Sequence, residues 1–307
     1  MKAFVRHLPF AALLLLASCE KGTTYADLGE GGIDGTELTS NETKKFTFTC
    51  KGDFTSVSES SASSGMKKVK RAPTYLSDNE LSMTDLWVLD YSGGRLLQQL
   101  HQASTDEGFG APTMQLAYGT HHIYFVVSRG TDPTLSTDDG TITWAKTSDT
   151  FWADYEVTVQ KTSNGNRAVT LERVATMLSV TIADELPEGL ATVNITPEHW
   201  FYGINYTTGA ATADRKQERP VNIPSSKIGQ SNVRLDIYGI SGATEWTTDI
   251  TIAAITSDGF SLGSATITGA PFLRNRVTHY TGSLFSESTP MTISLESDWL
   301  TPYEGTW

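Results

Sequence analysis

The stretch 85-DLWVLDYSGGRLLQQL-100 decides the fold class of this chain. Its first part, Asp85–Tyr91, is apolar on both faces, which is typical of a strand in the middle of a sheet. Ser92–Gly94 then supplies two glycines for a tight turn with positive φ angles. Arg95–Leu100 returns as the partner strand. The stretch therefore predicts an antiparallel β-hairpin inside a sheet.

Short strands separated by turns continue through the rest of the chain. The 307 residues include 26 Gly, 11 Pro and 10% aromatics, a composition typical of β structure. A helical period does not persist for more than a few residues. We predict an all-β fold of two sandwiches, residues 44–168 and residues 169–307. The predicted strands are 45–51, 85–91, 95–100, 114–116, 122–127, 151–160, 171–182, 192–195, 201–206, 233–238, 249–255, 264–268, 278–285 and 291–299.

The first of these strands has one apolar face and one polar face. Phe46, Phe48 and Cys50 alternate with threonines and a lysine, which predicts a half-buried strand. Cys50 fits the apolar face as a small hydrophobic residue. A Ser-rich stretch at 56–65 and a basic stretch at 67–71 follow it. The strand is therefore joined to the rest of the chain by a segment that has little to bury.

The sequence contains no motif that indicates catalysis. Neither a nucleophile elbow, a Walker loop nor a dinucleotide fingerprint occurs. None of the six histidines has a second His or Cys at metal spacing, and the aspartates of 132–140 do not match a calcium loop. The net charge of −12 argues against nucleic acid as a partner. We expect a protein that is not an enzyme, with no metal and no cofactor.

The N-terminus predicts export. A basic start and a short apolar run end in Leu16-Ala17-Ser18-Cys19, and this run is shorter than the roughly 20 residues of a spanning helix. The four residues resemble the bacterial lipobox, which implies a signal peptide at 1–18 and acylation of Cys19. Acyl chains at Cys19 would hold the protein on the outer membrane. Residues 19–43 would then form a flexible leader. The alternative is an ordinary signal peptide with a chance cysteine.

The order of features along the chain resembles the fimbrillin family of type V pili in Bacteroidales. The resemblance spans most of the chain and rests on the lipobox and on stretches 71–72, 86–94, 119–127, 172–175, 274–284 and 298–307. It implies two transthyretin-like β-sandwiches exported as a lipoprotein. It also implies that the first strand is removed and that a neighbouring subunit fills the groove left behind. An exposed sheet edge beside an apolar groove is satisfied by another extended strand.

The resemblance assigns roles to residues near both ends of the chain. An arginine-specific protease would cut between Arg71 and Ala72, which displaces the strand of Phe46, Phe48 and Cys50. The next subunit would donate its C-terminal tail to the groove. The large apolar residues of that tail are Trp299, Leu300, Tyr303 and Trp307. Alternatively, these side chains fold back as a lid on their own domain.

Three functional interpretations remain open at this point. The first is a structural subunit of a fimbria that supports adhesion, with other fimbrial subunits and the protease as partners. The second is an anchor subunit of the same fibre, which keeps its first strand. The third is a surface glycan-binding lipoprotein, which requires an exposed line of Trp and Tyr side chains. All three place the protein on the cell surface.

Overall fold

The computed structural model describes residues 42–54, 73–76, 81–286 and 292–294. Strands dominate these residues, which confirms the predicted all-β class. They form five sheets, and α-helices are absent from the described parts of the chain. Nor does any described segment form a helix long and apolar enough to cross a membrane.

Two sheets from the first half of the chain face each other. The groove sheet contains β1 (Thr43–Gly52), β2 (Thr74–Tyr75), β5 (Thr113–Ala117) and β10 (Asn166–Thr170). The central sheet has the order β11-β9-β6-β3-β4, with β3 (Asp85–Ser92), β4 (Arg95–Ala103), β6 (Gly119–Ser128), β9 (Thr150–Val159) and β11 (Glu172–Arg173). Phe125 and Val88 of the central sheet pack against Phe48 of the groove sheet in one buried core.

The hairpin predicted from residues 85–100 is confirmed. Strands β3 and β4 pair antiparallel, and Gly93 and Gly94 have φ angles of 58° and 78° in the turn. The central position of β3 is also confirmed, because it lies between β4 and β6. Leu86 and Val88 face the core with the groove sheet, whereas Trp87 and Leu89 face a second core on the opposite side.

A bridging sheet covers this second side of the central sheet. It has the order β15-β14-β8-β7 and consists of β7 (Thr131–Ser136), β8 (Thr141–Lys146), β14 (Trp200–Asn205) and β15 (Ala210–Arg215). Strand β8 pairs antiparallel with β14, so hairpins from distant parts of the sequence make one sheet. Trp144 of β8 and Tyr206, which follows β14, pack with Trp87 and Leu89. The sequence did not predict this layer.

The remaining two sheets enclose a core of their own. The β12 sheet has the order β17-β12-β20-β21, with β12 (Ala175–Ile182), β17 (Val233–Ile240), β20 (Val277–Gly282) and β21 (Thr292–Ser294). The β13 sheet has the order β16-β13-β18-β19, with β13 (Leu190–Pro197), β16 (Arg219–Asn222), β18 (Trp246–Thr256) and β19 (Ser261–Phe272). Leu178 and Tyr280 of the former pack against Ile252 and Phe272 of the latter.

The strand partners change close to the predicted domain boundary. Strands β10 and β11 still pair within the first half, whereas β12, which begins at Ala175, pairs with the later strands β17 and β20. The bridging sheet takes strands from both sides of the boundary. The division at residues 168 and 169 therefore stays a prediction. The leader was predicted to extend to Thr43, which is the first residue of β1.

Candidate functional site

The first strand fills a groove in the middle of its sheet. Strand β1 pairs parallel with β10 along residues 47–51. On its other edge it pairs antiparallel with β5 along residues 43–47 and with β2 at Lys51 and Gly52. Both edges of β1 are therefore occupied by strands that lie later in the sequence.

The backbone of β1 is hydrogen-bonded on both sides of this groove. Towards β10, the Thr47 amide donates to Gly165 O at 2.7 Å. Towards β5, the amides of Phe48 and Cys50 donate to Pro112 O and Gly110 O, each at 2.9 Å. A chain without β1 would therefore leave two rows of unmatched backbone groups, which only an extended strand can satisfy together.

The apolar face of β1 is fully buried, as the alternation in the sequence predicted. Phe46, Phe48 and Cys50 are each 0% exposed. The Phe48 ring meets Phe125 edge-on at a centroid distance of 5.4 Å and Tyr155 at 6.0 Å. Burial raises the pKa of the Cys50 thiol to about 12, so this thiol stays protonated and unreactive while β1 is in place. Cys50 is a core residue of the groove.

One glycine lets β1 lie close to its parallel neighbour. A side chain at Gly165 would overlap the carbonyl oxygen of Lys45, because the two backbones approach closely at that point. Gly165 follows directly on the turn of residues 160–163, and β10 begins one residue later. The groove therefore requires glycine at this position, because no side chain would fit between the two backbones.

Polar contacts hold the two ends of β1. At its start, Lys44 Nζ donates to Ser163 O at 2.7 Å and also to Lys161 O. At its end, Arg173 Nη2 donates to Asp53 O at 3.1 Å. Arg173 is itself buried and forms a two-point ion pair with Asp149 at 2.8 and 3.1 Å. These contacts fix where β1 begins and ends in the groove.

The structure brings only one group of the predicted site residues together. Phe46, Phe48 and Cys50 lie side by side in the groove. The lipidation residue Cys19 and the cleavage pair Arg71 and Ala72 lie outside the described residues, as do the donor-tail residues Trp299, Leu300, Tyr303 and Trp307. Strand β2 begins at Thr74 and pairs with Gly52, so the described residues on either side of the segment that carries Arg71 lie at the same end of the groove.

The exposed aromatic line that glycan binding requires is not seen among the described residues. Trp87, Trp144 and Trp200 are buried in cores, and Trp152 and Trp246 are partly buried. The large hydrophobic side chains exposed in this part of the chain are Tyr75 and Phe260. The described residues also contain no cluster of three or more His, Cys, Asp or Glu that could hold a metal ion.

The walls of the groove were missed by sequence reasoning. Strand β5 was predicted as a short strand without a partner, and β10 was not predicted. Strand β10 is the sequence Asn166–Thr170, in which Val169 is its single buried residue. Its only sequence signal is the turn before it. A strand with one buried residue in five carries no alternation that would reveal its pairing with the start of the domain.

The comparison with known proteins supports the architecture. No protein-family model and no curated protein sequence matches the chain. Among solved structures, a candidate adhesin from Bacteroides ovatus matches with 11% identity and a TM-score of 0.52, over 86% of this chain and 97% of that chain. A candidate polysaccharide-binding protein from Bacteroides thetaiotaomicron matches with 9% identity and a TM-score of 0.52, over 85% and 98%. This chain shares their fold.

A third solved structure matches over a similar length. It is a fimbrial assembly protein from Parabacteroides distasonis, with 12% identity and a TM-score of 0.47. The match covers 83% of this chain and 96% of that chain.

Proposed function

We propose that this protein is a structural subunit of a cell-surface fimbria that supports adhesion. One observation carries the proposal: β1 is an interior strand whose neighbours on both edges come from later in the sequence. A chain cut after β1 would keep these neighbours and lose only the strand between them. The groove would then accept a strand of the same alternating pattern from another subunit.

The steps before assembly are those that the resemblance to fimbrillins implies. Cys19 carries the lipid that places the precursor on the outer membrane. An arginine-specific protease cuts after Arg71, and the segment that contains the lipid and β1 is released. The C-terminal tail of the next subunit, with Trp299, Leu300, Tyr303 and Trp307, then enters the groove. Adhesion is supported by the shared fold with a candidate adhesin.

Digestion of the purified precursor with an arginine-specific protease tests the proposal. We expect the intact chain to remain a monomer, because its own β1 fills the groove, and the cut chain to form polymer ladders. Arg71→Ala should block the ladders, while Arg95→Ala, at the exposed first residue of β4, serves as a control. Ladders that form equally well from the Arg71→Ala precursor would contradict the proposal.

Two further variants test the ends of the chain. Cys19→Ala should release the precursor from the membrane, and unchanged membrane partition would show that Cys19 is not the tether. Deletion of residues 301–307 should leave a folded, processed monomer that does not extend a fibre. If this truncated chain polymerises normally, the donor strand lies elsewhere, and if it does not fold, the tail is a lid.

The second candidate is an anchor subunit that keeps β1. The completeness of the groove contacts favours it, since β1 is held by side chains at both of its ends. Mass spectrometry of the surface-exposed protein decides between the two roles. An N-terminus at Ala72 indicates a polymerising subunit, whereas an acylated Cys19 indicates an anchor.

A glycan-binding lipoprotein is the third candidate. It is supported by the shared fold with a candidate polysaccharide-binding protein. The buried positions of Trp87, Trp144 and Trp200 leave them unable to stack on a sugar. Binding of the intact chain to polysaccharide arrays would favour this candidate over a fimbrial subunit.

A further inference from the structure

Strand β5 forms one wall of the groove, and β1 is its strand partner within the described residues. Because the Phe48 amide donates to Pro112 O, the bonded pairs of this antiparallel ladder alternate, and they include Phe46 with Met114. The carbonyls of the intervening residues, Gln115 and Ala117, therefore point away from β1. They are left to find partners, protein or water, on the outer edge of β5.

Side chains of the central sheet supply these partners. Gln98 Nε2, on β4, donates to Gln115 O at 2.7 Å. The His121 Nε2 atom, on β6, lies 3.0 Å from Ala117 O. Two side-chain hydrogen bonds thus take the place that a neighbouring strand would fill on this edge of β5.

A buried carboxylate joins the two donors. Asp90 is 0% exposed and continues the inward face of β3, two residues after Val88. Its Oδ1 atom lies 2.7 Å from His121 Nδ1, and its Oδ2 atom accepts from Gln98 Nε2 at 3.1 Å. Both ring nitrogens of His121 therefore face acceptors. Burial alone would lower the pKa of His121, but the hydrogen bonds with Asp90 and Ala117 O outweigh it and raise the pKa, which favours the protonated ring.

We propose that Asp90, His121 and Gln98 are positioning residues that hold β5 in place while the groove is empty. The inference rests on the proposed exchange of β1. Without β1, the wall formed by β5 loses its strand ladder, but the three side chains still tie Gln115 O and Ala117 O to the central sheet. They belong to β3, β4 and β6, which pair with one another independently of β1.

This role predicts an effect on strand entry rather than on strand release. In the filled groove, β1 itself holds β5, so loss of the three-residue network should change the release rate of β1 little. In the empty groove, loss of the network lowers the fraction of molecules with β5 in register. The apparent association rate falls with that fraction.

The test uses the full chain with a recognition site for a sequence-specific protease placed within residues 56–65. Cleavage there leaves β1 bound without a covalent link, and no processing at Arg71 is needed. The release rate is measured as the cut segment is displaced by excess fluorescent peptide of residues 43–53. The association rate is measured with the same peptide after the cut segment has been dialysed away.

Gln98→Ala removes two hydrogen bonds, one to the exposed carbonyl of Gln115 and one to Asp90, and should slow association about fivefold to tenfold while changing release less than about twofold. Gln99→Ala is the matched control, because Gln99 is the next residue of β4 and is exposed. The second variant replaces Asp90 and His121 together by leucine, which avoids an unpaired buried charge. This double variant should also slow association and leave release nearly unchanged. His122→Ala is its control.

Unchanged association in both variants would overturn the inference and leave the fimbrial proposal standing. Equal changes in release and association would show a general structural role and would also overturn it. If the wild-type groove exchanges no peptide at all, both this inference and the proposed strand exchange are wrong.

Discussion

Strands β1 and β12 occupy the same place in the two halves of the molecule. Each is the first strand of its half and lies in the interior of a sheet. Each pairs parallel with a late strand of its half, β10 for β1 and β20 for β12. Each pairs antiparallel with a strand on its other edge, β5 for β1 and β17 for β12.

The two strands differ in how completely they are enclosed. Strand β12 pairs with β17 over eight residues and with β20 over six, and it is buried on both faces along most of its length. Strand β1 divides its antiparallel edge between five pairs with β5 and two with β2, and its outward residues are only half-buried. The two strands therefore share a topological position, but β12 is buried on both faces and β1 on a single face.

Under the proposed strand exchange, this difference makes β1 easier to replace than β12. An incoming strand has to match one apolar face and two rows of backbone groups, and any alternating sequence of the right length does so. A replacement for β12 would have to match both faces at once. The chance that another subunit carries such a strand is far smaller.

The largest effect in this comparison is expected for Phe48→Ala in β1, which we compare with Leu178→Ala in β12. Each substitution leaves a cavity at a site that is 0% exposed, and we expect the free energy of unfolding to fall by about 3–5 kcal/mol for Phe48→Ala and about 2–5 kcal/mol for Leu178→Ala. Denaturant titration measures both. Phe48→Ala should also speed thiol labelling of Cys50, because β1 leaves more readily. If Leu178→Ala speeds it equally, the two halves open together.

A pair of thiol probes compares the two strands directly. Cys50 reports on β1, and Ser179→Cys places a thiol in β12 at a residue that is also 0% exposed. In chains that carry Cys19→Ala, with Cys50→Ser for the second probe, we expect Cys50 to be labelled at least about tenfold faster. That ratio corresponds to about 1.4 kcal/mol between the two opening reactions. Equal rates would remove the distinction between a replaceable and a permanent strand.

The sequence predicts β1 better than it predicts the groove. Period-two alternation identifies the buried face of Phe46, Phe48 and Cys50, because that signal is local. The neighbours of β1 depend on pairing across more than 100 residues, as between Thr47 and Asn166, and no local pattern contains this information. Asp90 lies in the stretch that was predicted to be apolar on both faces, and no local pattern showed that it would be buried and paired with His121.

The bridging sheet is a second example of long-range pairing that local sequence patterns do not contain. Its strand β15 consists largely of small residues, and its pairing joins a hairpin at 131–146 to one at 200–215. Each hairpin has turn residues that the sequence shows, but the contact between them is made only in the folded chain. Of the four strands in this sheet, the sequence predicted only the one at 201–206, so sequence reasoning missed both hairpins as well as the layer they build.

A smaller effect is expected at Asp184, just after β12. Its carboxylate accepts hydrogen bonds from the amides of Leu284 and Phe285, the latter at 2.8 Å, and so fixes the segment after β20. Burial alone would raise the pKa of Asp184, but these amide donors outweigh it and lower the pKa. Because the pKa is lowered, the stabilisation is present above the ordinary value and is lost as the pH falls through the lowered one.

Asp184→Asn should therefore lower the free energy of unfolding by about 1 kcal/mol at neutral pH, a modest amount because the group is partly exposed. The difference from the wild type should shrink in acid, which titration of unfolding at several pH values measures. Labelling of Cys50 should not change, since Asp184 supports β20 and not β1. Faster labelling would mean that the β12 sheet helps to retain β1.

The smallest expected effect is at the start of β1, where Lys44 donates to the carbonyls of Lys161 and Ser163. Lys44→Met keeps most of the aliphatic chain and removes both hydrogen bonds, which are near solvent and contribute about 0.5–1 kcal/mol together. We expect Cys50 labelling to become about twofold to fivefold faster.

Lys45→Met is the matched control, because Lys45 is the next residue and is exposed. An equal effect of the two variants would mean that charge near β1, and not the bond to the turn at 161–163, holds its first residues. A specific effect of Lys44 would place the start of strand release at this end of the groove, opposite the end where residues 53 and 74 lie.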